Sequence, residues 1–407
     1  MCVAMIPRVR VNYRFADVAR ALVAPSREGA KSRTLERRVA DFAGAREAIL
    51  TASGRGGLYL VLKAIGRAKA VMPAYTCKAV AEAAILAGCE PVHIDIEGDG
   101  YDMSMAHLEL RVDADCVIVA THQYGAPAPI RRLQRLCNER GAVLIEDAAA
   151  AFGSCVDGRQ VGAAGRAGVF SFDSTKTIHA PLKGGAIVTN DPGLAGRVRA
   201  LMADETSPPS IADKFRWLGG ALAYQALANP VVYRAFHHAW FAARGRRYSE
   251  TPGLDPRKTA FHSRRLADWQ AGIVFSQLDR FDEIRDRRRA LYSLYHKALK
   301  GAPGIQLPPE DRSGEWCCTR FAVRIDVGRD AVADRMAAAG VDLAYSFAEI
   351  GAPADCVNAH RLARGVVNMP FYPQLSDAAA RRAADALLQA VEDVAALDGA
   401  QHGQGTV

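Results

Sequence analysis

Residues 116–148 hold three segments in immediate succession: Cys116-Val-Ile-Val-Ala-Thr-His122, Ile130-Arg-Arg-Leu-Gln-Arg-Leu-Cys-Asn-Glu-Arg-Gly141 and Ala142-Val-Leu-Ile-Glu-Asp-Ala148. The first and third are short apolar runs that end in polar residues, and the second has helical period. Strand, helix, strand at this spacing predicts strands joined by crossover helices. Runs that are apolar throughout, rather than alternating, belong to a sheet covered on both faces.

The alternation extends in both directions. Upstream, AILTA (48–52) precedes a glycine-rich turn and the helical stretch LYLVLKAIG. AVMP (70–73), AVAEAAILAG and PVHIDI follow, and VFSF (169–172) and AIVTN (186–190) lie downstream. The class is therefore α/β, with a largely parallel sheet between helices. A helical pattern from Arg264 to Leu299 follows. After Gly301-Ala-Pro-Gly304 the units shorten: FAVRIDV (321–327) as a strand, DAVADRMAAAG as a helix, and a closing helix from Ser376. This places a large domain over 1–285, with an apolar and basic insertion at 205–262, and a smaller α+β domain over 286–398. The last residues are expected to fray.

Composition narrows the function. With 407 residues, 50% hydrophobic and 24% charged, the chain reads as a soluble folded protein with a large core. Nine cysteines, an odd number without CxxC spacing, indicate a reducing compartment and no metal site. The N-terminus carries no signal-like apolar stretch, so the expected location is the cytoplasm. Of the net charge of +8, the 205–265 segment holds +6, from ten Lys/Arg against four Asp/Glu. No nucleic-acid module accompanies it. Within it, Trp217–Tyr233 is an uncharged 17-residue window with two glycines and a proline, short for a bilayer span. A buried helical insertion is the main reading, and a peripheral membrane contact is the other.

In an open α/β sheet, ligands bind beyond the carboxyl ends of the strands. Five places there carry chemistry. Ser53-Gly54-Arg55-Gly56-Gly57 follows a strand and opens a helix, where free N–H groups suit a phosphate, although a tight turn has the same sequence. Tyr75 and Cys77 end the AVM strand, where a ring or thiol could pack on a flat cofactor. His122 and Tyr124 end the next, as core residues or substrate contacts. Asp147 ends AVLIE and needs a cationic or hydrogen-bonding partner. Lys176 follows FSFDST and could form a Schiff base, with Ser171 adding a hydroxyl to a phosphate site. Taken in order, a phosphate turn, a ring-packing loop, a strand-end Asp and a Lys about 30 residues later point to pyridoxal 5′-phosphate (PLP).

The chain also resembles the DegT/DnrJ/EryC1/StrS aminotransferases. The matching segments are VMPAYTCKAVAEAAILAGCEPVHIDI, THQYGAPAPI, LIEDAAAAFGS, GRQVGAAGRAGVFSFDSTK, GGAIVTND, RRLADWQAGIVFSQLDRFDEIRDRRR and MPFYPQLSD, covering roughly 40–385 outside the insertion. The resemblance implies fold type I and a homodimer with shared active sites. It implies that Lys176 binds PLP covalently and shuttles a proton, that Asp147 pairs with the pyridine nitrogen, and that Gly54, Arg55 and Ser171 hold the phosphate. The implied reaction moves an amino group, usually from glutamate, to a keto sugar on a nucleotide.

Several positions depart from the family pattern. Ala150 stands where His or Gln is usual, Cys77 where a stacking aromatic is common, with Tyr75 as a possible substitute. Ser263-Arg264-Arg265 replaces the NYR element that reaches the partner's phosphate, and Arg55 stands where Thr or Ser is commoner. The insertion, with Trp217, Tyr224, Trp240 and Phe241 among Arg234, Arg244, Arg246 and Arg247, is expected to reshape the acceptor pocket toward a bulkier or lipid-like group or to touch a membrane. The alternative functions are amination of a cyclitol or other non-nucleotide ketone, a sugar dehydratase, and a non-catalytic regulator. Lys183 is the second candidate lysine.

Overall fold

The structure, a computed structural model, describes residues 5–23, 29–98, 100–244 and 263–403. Seven strands build the main sheet: β1 (Glu47–Thr51), β2 (Lys69–Pro73), β3 (Glu90–Ile94), β4 (Cys116–Thr121), β5 (Val143–Asp147), β8 (Ala167–Ser171) and β9 (Gly185–Thr189). A two-stranded ribbon of β6 (Cys155–Val156) and β7 (Arg159–Gln160) lies between β5 and β8 in the chain. The spatial order is β1-β9-β8-β5-β4-β2-β3, and β9 alone runs against the others.

Period-two alternation sends successive side chains to opposite faces of these strands. Val117 and Val119 pack with Leu58, Leu62, Val80 and Val198 on one face, under the helices Gly54–Ile65, Lys78–Leu86 and Pro192–Glu205. Ile118 and Ala120 pack on the other face with Leu133 and Leu136 of the helix Ile130–Arg140. Both faces are thus covered, as the unbroken apolar runs require.

A smaller antiparallel sheet follows, of β10 (Ile305–Gln306), β11 (Phe321–Ile325) and β12 (Val366–Met369). The helix Phe281–Leu299 joins the two parts: Phe281 belongs to a core beside the large sheet, and Leu291, Tyr295 and Leu299 belong to the core of the small one. The expected boundary at 285/286 therefore falls inside a helix. The N-terminal segment, placed with the large domain by the sequence, bridges Val341 through Ile6 and packs in the small-sheet core.

The single helical pattern expected over 264–299 is two helices, Asp268–Leu278 and Phe281–Leu299. The break has a cause in Arg280, which donates to both carboxylate oxygens of Asp17 and to the carbonyl of Asn12. The closing helix runs Asp377–Gly403, further than the frayed end expected. The described part of the insertion forms two helices, Ile211–Ala226 and Pro230–Arg244. Arg246 and Arg247 lie outside the described residues, as do the side chains of Trp240, Phe241 and Arg244. Among the described residues, no helix is long and apolar enough to cross a membrane.

Candidate active site

The carboxyl ends of β1, β2, β4, β5 and β8 open onto one cavity of about 620 Å³. Register sets which residues share its floor. Thr121 pairs with Asp147, and Asp147 with Val169, so the ends of β4, β5 and β8 lie level. On the other side Ser171 and Thr51 both pair with Gly185.

Asp147 keeps one carboxylate oxygen on the N–H of Ala149 at 3.1 Å. Burial raises its pKa, while that N–H and the charge of Lys176 pull against the shift. A carboxylate so placed is stabilised by a cation in the cavity. Lys176 lines the same cavity, and its ammonium has no hydrogen-bond or ion-pair partner among the described residues. Its backbone, by contrast, is held tightly. His179 Nε2 donates to the Lys176 carbonyl at 2.6 Å, and Arg288 Nη2 reaches it at 3.4 Å. Lys183 lines the cavity as well, but its side chain is exposed.

The glycine-rich turn becomes the first turn of the helix Gly54–Ile65. Ser53 caps it, its Oγ accepting from the N–H of Gly56 at 3.0 Å. This N-terminus is seated on the sheet at two glycines. A Cβ on Gly54 would fall 2.9 Å from Ser171 Cβ, and one on Gly185 2.6 Å from Gly54 N. Such close approach leaves a cradle of backbone N–H groups beside the Ser171 hydroxyl, at the positive end of a helix. Arg55 enters the cavity and pairs at 3.1 Å with Glu82, which is buried.

Cys77 and Ala150 line the cavity, whereas Tyr75 is wholly buried behind it. Tyr75 O–H meets Tyr124 O–H at 2.7 Å inside a cluster with Tyr101 and Phe347. Tyr75 thus cannot substitute for a stacking ring. Two residues further on, Cys77 presents its thiol to the cavity, and burial raises that thiol's pKa.

His122 reaches the cavity wall with both ring nitrogens already used. Nδ1 accepts from the N–H of Ala128 at 3.0 Å, which leaves Nε2 to donate to Glu146 at 3.0 Å. Glu146 is fully buried and also accepts from the N–H groups of Gly162, Ala164 and Gly165. Of the two readings of His122, the structure supports the core one. Tyr124 lines the cavity but spends its hydroxyl on Tyr75. Ser263 stands away from this chain's cavity, its carbonyl accepting from Ser207 N–H while Arg264 pairs with Asp213.

These residues fit PLP. Asp147 offers a half-buried carboxylate for a protonated ring nitrogen, Lys176 an amine for an aldehyde, and the Gly54–Ser171 cradle donors for a phosphate. Residues 13–388 match the DegT/DnrJ/EryC1/StrS aminotransferase family. The chain belongs to this family. It is 27% identical to a UDP-N-acetyl-3-dehydro-alpha-D-glucosamine 3-aminotransferase of Acidithiobacillus ferrooxidans, over 86% of this chain and 85% of that one. The structure of DesI, solved in the presence of its TDP-sugar product, superposes with a TM-score of 0.77 at 27% identity, covering 98% of this chain and 96% of DesI. DesV of S. venezuelae gives 0.73 at 26%, covering 93% and 94%. The protein is an aminotransferase with the fold type I architecture that its sheet displays.

Within the DegT/DnrJ/EryC1/StrS frame, further residues complete the site. Arg320 and Ser346 bring the small-sheet side to the cavity. Thr121 Oγ1 and Gln123 Nε2 are buried at its wall without hydrogen-bond partners among the described residues. Leu182 and Tyr224 close another side. Gln123 stands inside the THQYG strand end already singled out. Arg320 follows two cysteines in a stretch with no periodic signal, and nothing local marks it.

Proposed function

We propose that the protein binds PLP in this cavity, holds it covalently through Lys176, and moves an amino group from an amino acid, glutamate being the expected donor, to the keto carbon of a nucleotide-linked sugar. One observation carries the reading: Lys176 and Asp147 face a single cavity whose third side is the Gly54–Ser171 cradle. PLP supplies an electron sink for the carbon that loses its proton.

The chain supplies the rest. Asp147 holds a proton on the ring nitrogen, because a half-buried carboxylate beside a cation is more stable than one alone. Once a donor amine had taken its place on the cofactor, the freed Lys176 amine would take the proton from the donor carbon and return it on the far side of the transferred nitrogen. Gly54, Ser171 and Arg55 anchor the phosphate, and Cys77 and Ala150 border the ring. Arg320 is the cation that a donor carboxylate meets from the opposite wall. The sugar acceptor is supported by the names of the 26–27% identical relatives, which include a UDP-sugar aminotransferase and DesI with its TDP-sugar product. The family resemblance supports a homodimer.

The test is the visible spectrum of the protein with added PLP, then with glutamate, then with UDP-N-acetyl-3-dehydro-glucosamine or a TDP-linked keto sugar, beside free cyclic ketones. We expect a yellow band that bleaches with glutamate and returns with a nucleotide-linked ketone. A band that glutamate leaves unchanged removes the donor assignment. Return with free ketones alone removes the nucleotide. No band at all rejects the cofactor reading.

A further inference from the structure

The insertion is built into the site rather than appended to it. Its first helix, Ile211–Ala226, starts at a capping box in which Ser210 and Asp213 bond each other's backbone. Its inner face joins a core: Ala221, with Trp217, Leu218 and Tyr224, packs with Val11, Tyr13, Val18 and Ile273. Gly220 lies one turn before Tyr224 on the same face. A Cβ at Gly220 would fall 2.6 Å from Leu182 Cδ2, so glycine lets the helix press on the segment that follows Lys176. Leu182 itself holds a left-handed backbone, φ 66°. The second helix is tied to the small-sheet side, where the Tyr233 hydroxyl donates to Asp342, a buried carboxylate that also pairs with Arg8.

Between these anchors Tyr224 reaches the cavity. Its hydroxyl lies 3.1 Å from Ser174 Oγ, and Ser174 Oγ lies 3.4 Å from Asp173 Oδ1. A carboxylate only accepts, so Ser174 donates to Asp173 and Tyr224 donates to Ser174. With its proton committed to the lysine-bearing loop, the Tyr224 oxygen keeps acceptor capacity at the cavity wall.

We propose that Tyr224 is a recognition residue for the amino acceptor, its phenolic oxygen accepting a hydrogen bond from a hydroxyl of the keto sugar. The insertion thereby helps decide which ring carbon is presented to Lys176. This rests on the sugar-aminotransferase reading above. It assigns the insertion a role in acceptor choice that the PLP-binding residues do not have.

The test uses Tyr224→Phe, which keeps the ring and its packing, in the PLP-loaded enzyme. The visible band and its bleaching by glutamate should match wild type. KM for the UDP- or TDP-linked keto sugar should rise about tenfold with kcat little changed, as for loss of one neutral hydrogen bond. Tyr233→Phe, which loosens the other end of the insertion, should lower Tm and leave that KM alone. An unchanged KM in Tyr224→Phe, or an equal rise in Tyr233→Phe, overturns the proposal. A wild-type enzyme that bleaches with glutamate yet converts neither sugar overturns the sugar reading and this one together.

Discussion

Lys176 and Asp147 face each other because they leave hydrogen-bonded neighbouring strands. Asp147 pairs in register with Val169, and the chain turns over the sheet edge to reach Lys176 seven residues later. The loop that carries Lys176 is clamped from three directions. Asn12 Nδ2 donates to the Thr177 carbonyl at 2.5 Å, Gln277 exchanges two bonds with the backbone of His179, and Arg288 reaches the Lys176 carbonyl. The backbone is held while the amine is left to react.

Lys176→Ala removes a side chain with no hydrogen-bond or ion-pair partner among the described residues, so Tm should move by no more than a few degrees while the visible band and all turnover disappear. A circular dichroism melt and an absorbance scan on one sample check both. Turnover surviving in this variant would shift the role to Lys183.

Asp147→Asn leaves the amine in place but removes the charge that stabilises a protonated ring nitrogen. The band should persist while amino transfer slows on the order of 10²-fold, the size of one removed electrostatic contact. Single-turnover kinetics with glutamate measure it, and an unchanged rate rejects the assignment of Asp147.

Arg55→Ala should weaken PLP binding about tenfold, through loss of a charge-assisted contact to phosphate. It also leaves buried Glu82 without its ion-pair partner, so the PLP-free protein should melt earlier. Equilibrium dialysis reads the first effect and calorimetry the second. Unaltered affinity would show that the Gly54 and Ser171 donors hold the phosphate without Arg55.

Glu146→Gln places an amide where four N–H groups converge on a carboxylate. The expected cost is about 3–5 kcal/mol at neutral pH. Burial pushes the Glu146 carboxyl up, but the His122 bond and the amides of Gly165 and Gly162 together hold it below its usual value of 4.5. A lowered folded pKa gives stability that is present above the unfolded value and lost as pH falls through the folded one. The gap between wild type and variant in urea midpoint should be full at about pH 7 and shrink below about pH 4. A gap of equal size at both ends would mean that the ionised state does not matter.

Part of this site could be read along the chain. Asp147 and Lys176 each follow an apolar run, and such a run must surface where its strand ends, so a polar residue there points toward the crevice. The Ser53–Gly57 turn was legible for the same reason, since glycines after a strand and before a helix permit the close approach that Gly54 makes. The parity of a loop was not. Tyr75 and Cys77 are two residues apart, and one is buried while the other faces the cavity, because the Tyr75 ring finds Tyr101, Tyr124 and Phe347 from distant segments.

The sequence by itself determined the α/β class, the family and the identity of the strand-end groups, because apolar period and turn chemistry act over a few residues. Only the tertiary structure decided which polar side chains remain available. His122 is occupied by Glu146, 24 residues away, and Tyr224 enters the site through Ser174, 50 residues away. A hydrogen bond depends on distance in space, and the order of residues along the chain does not encode that distance locally.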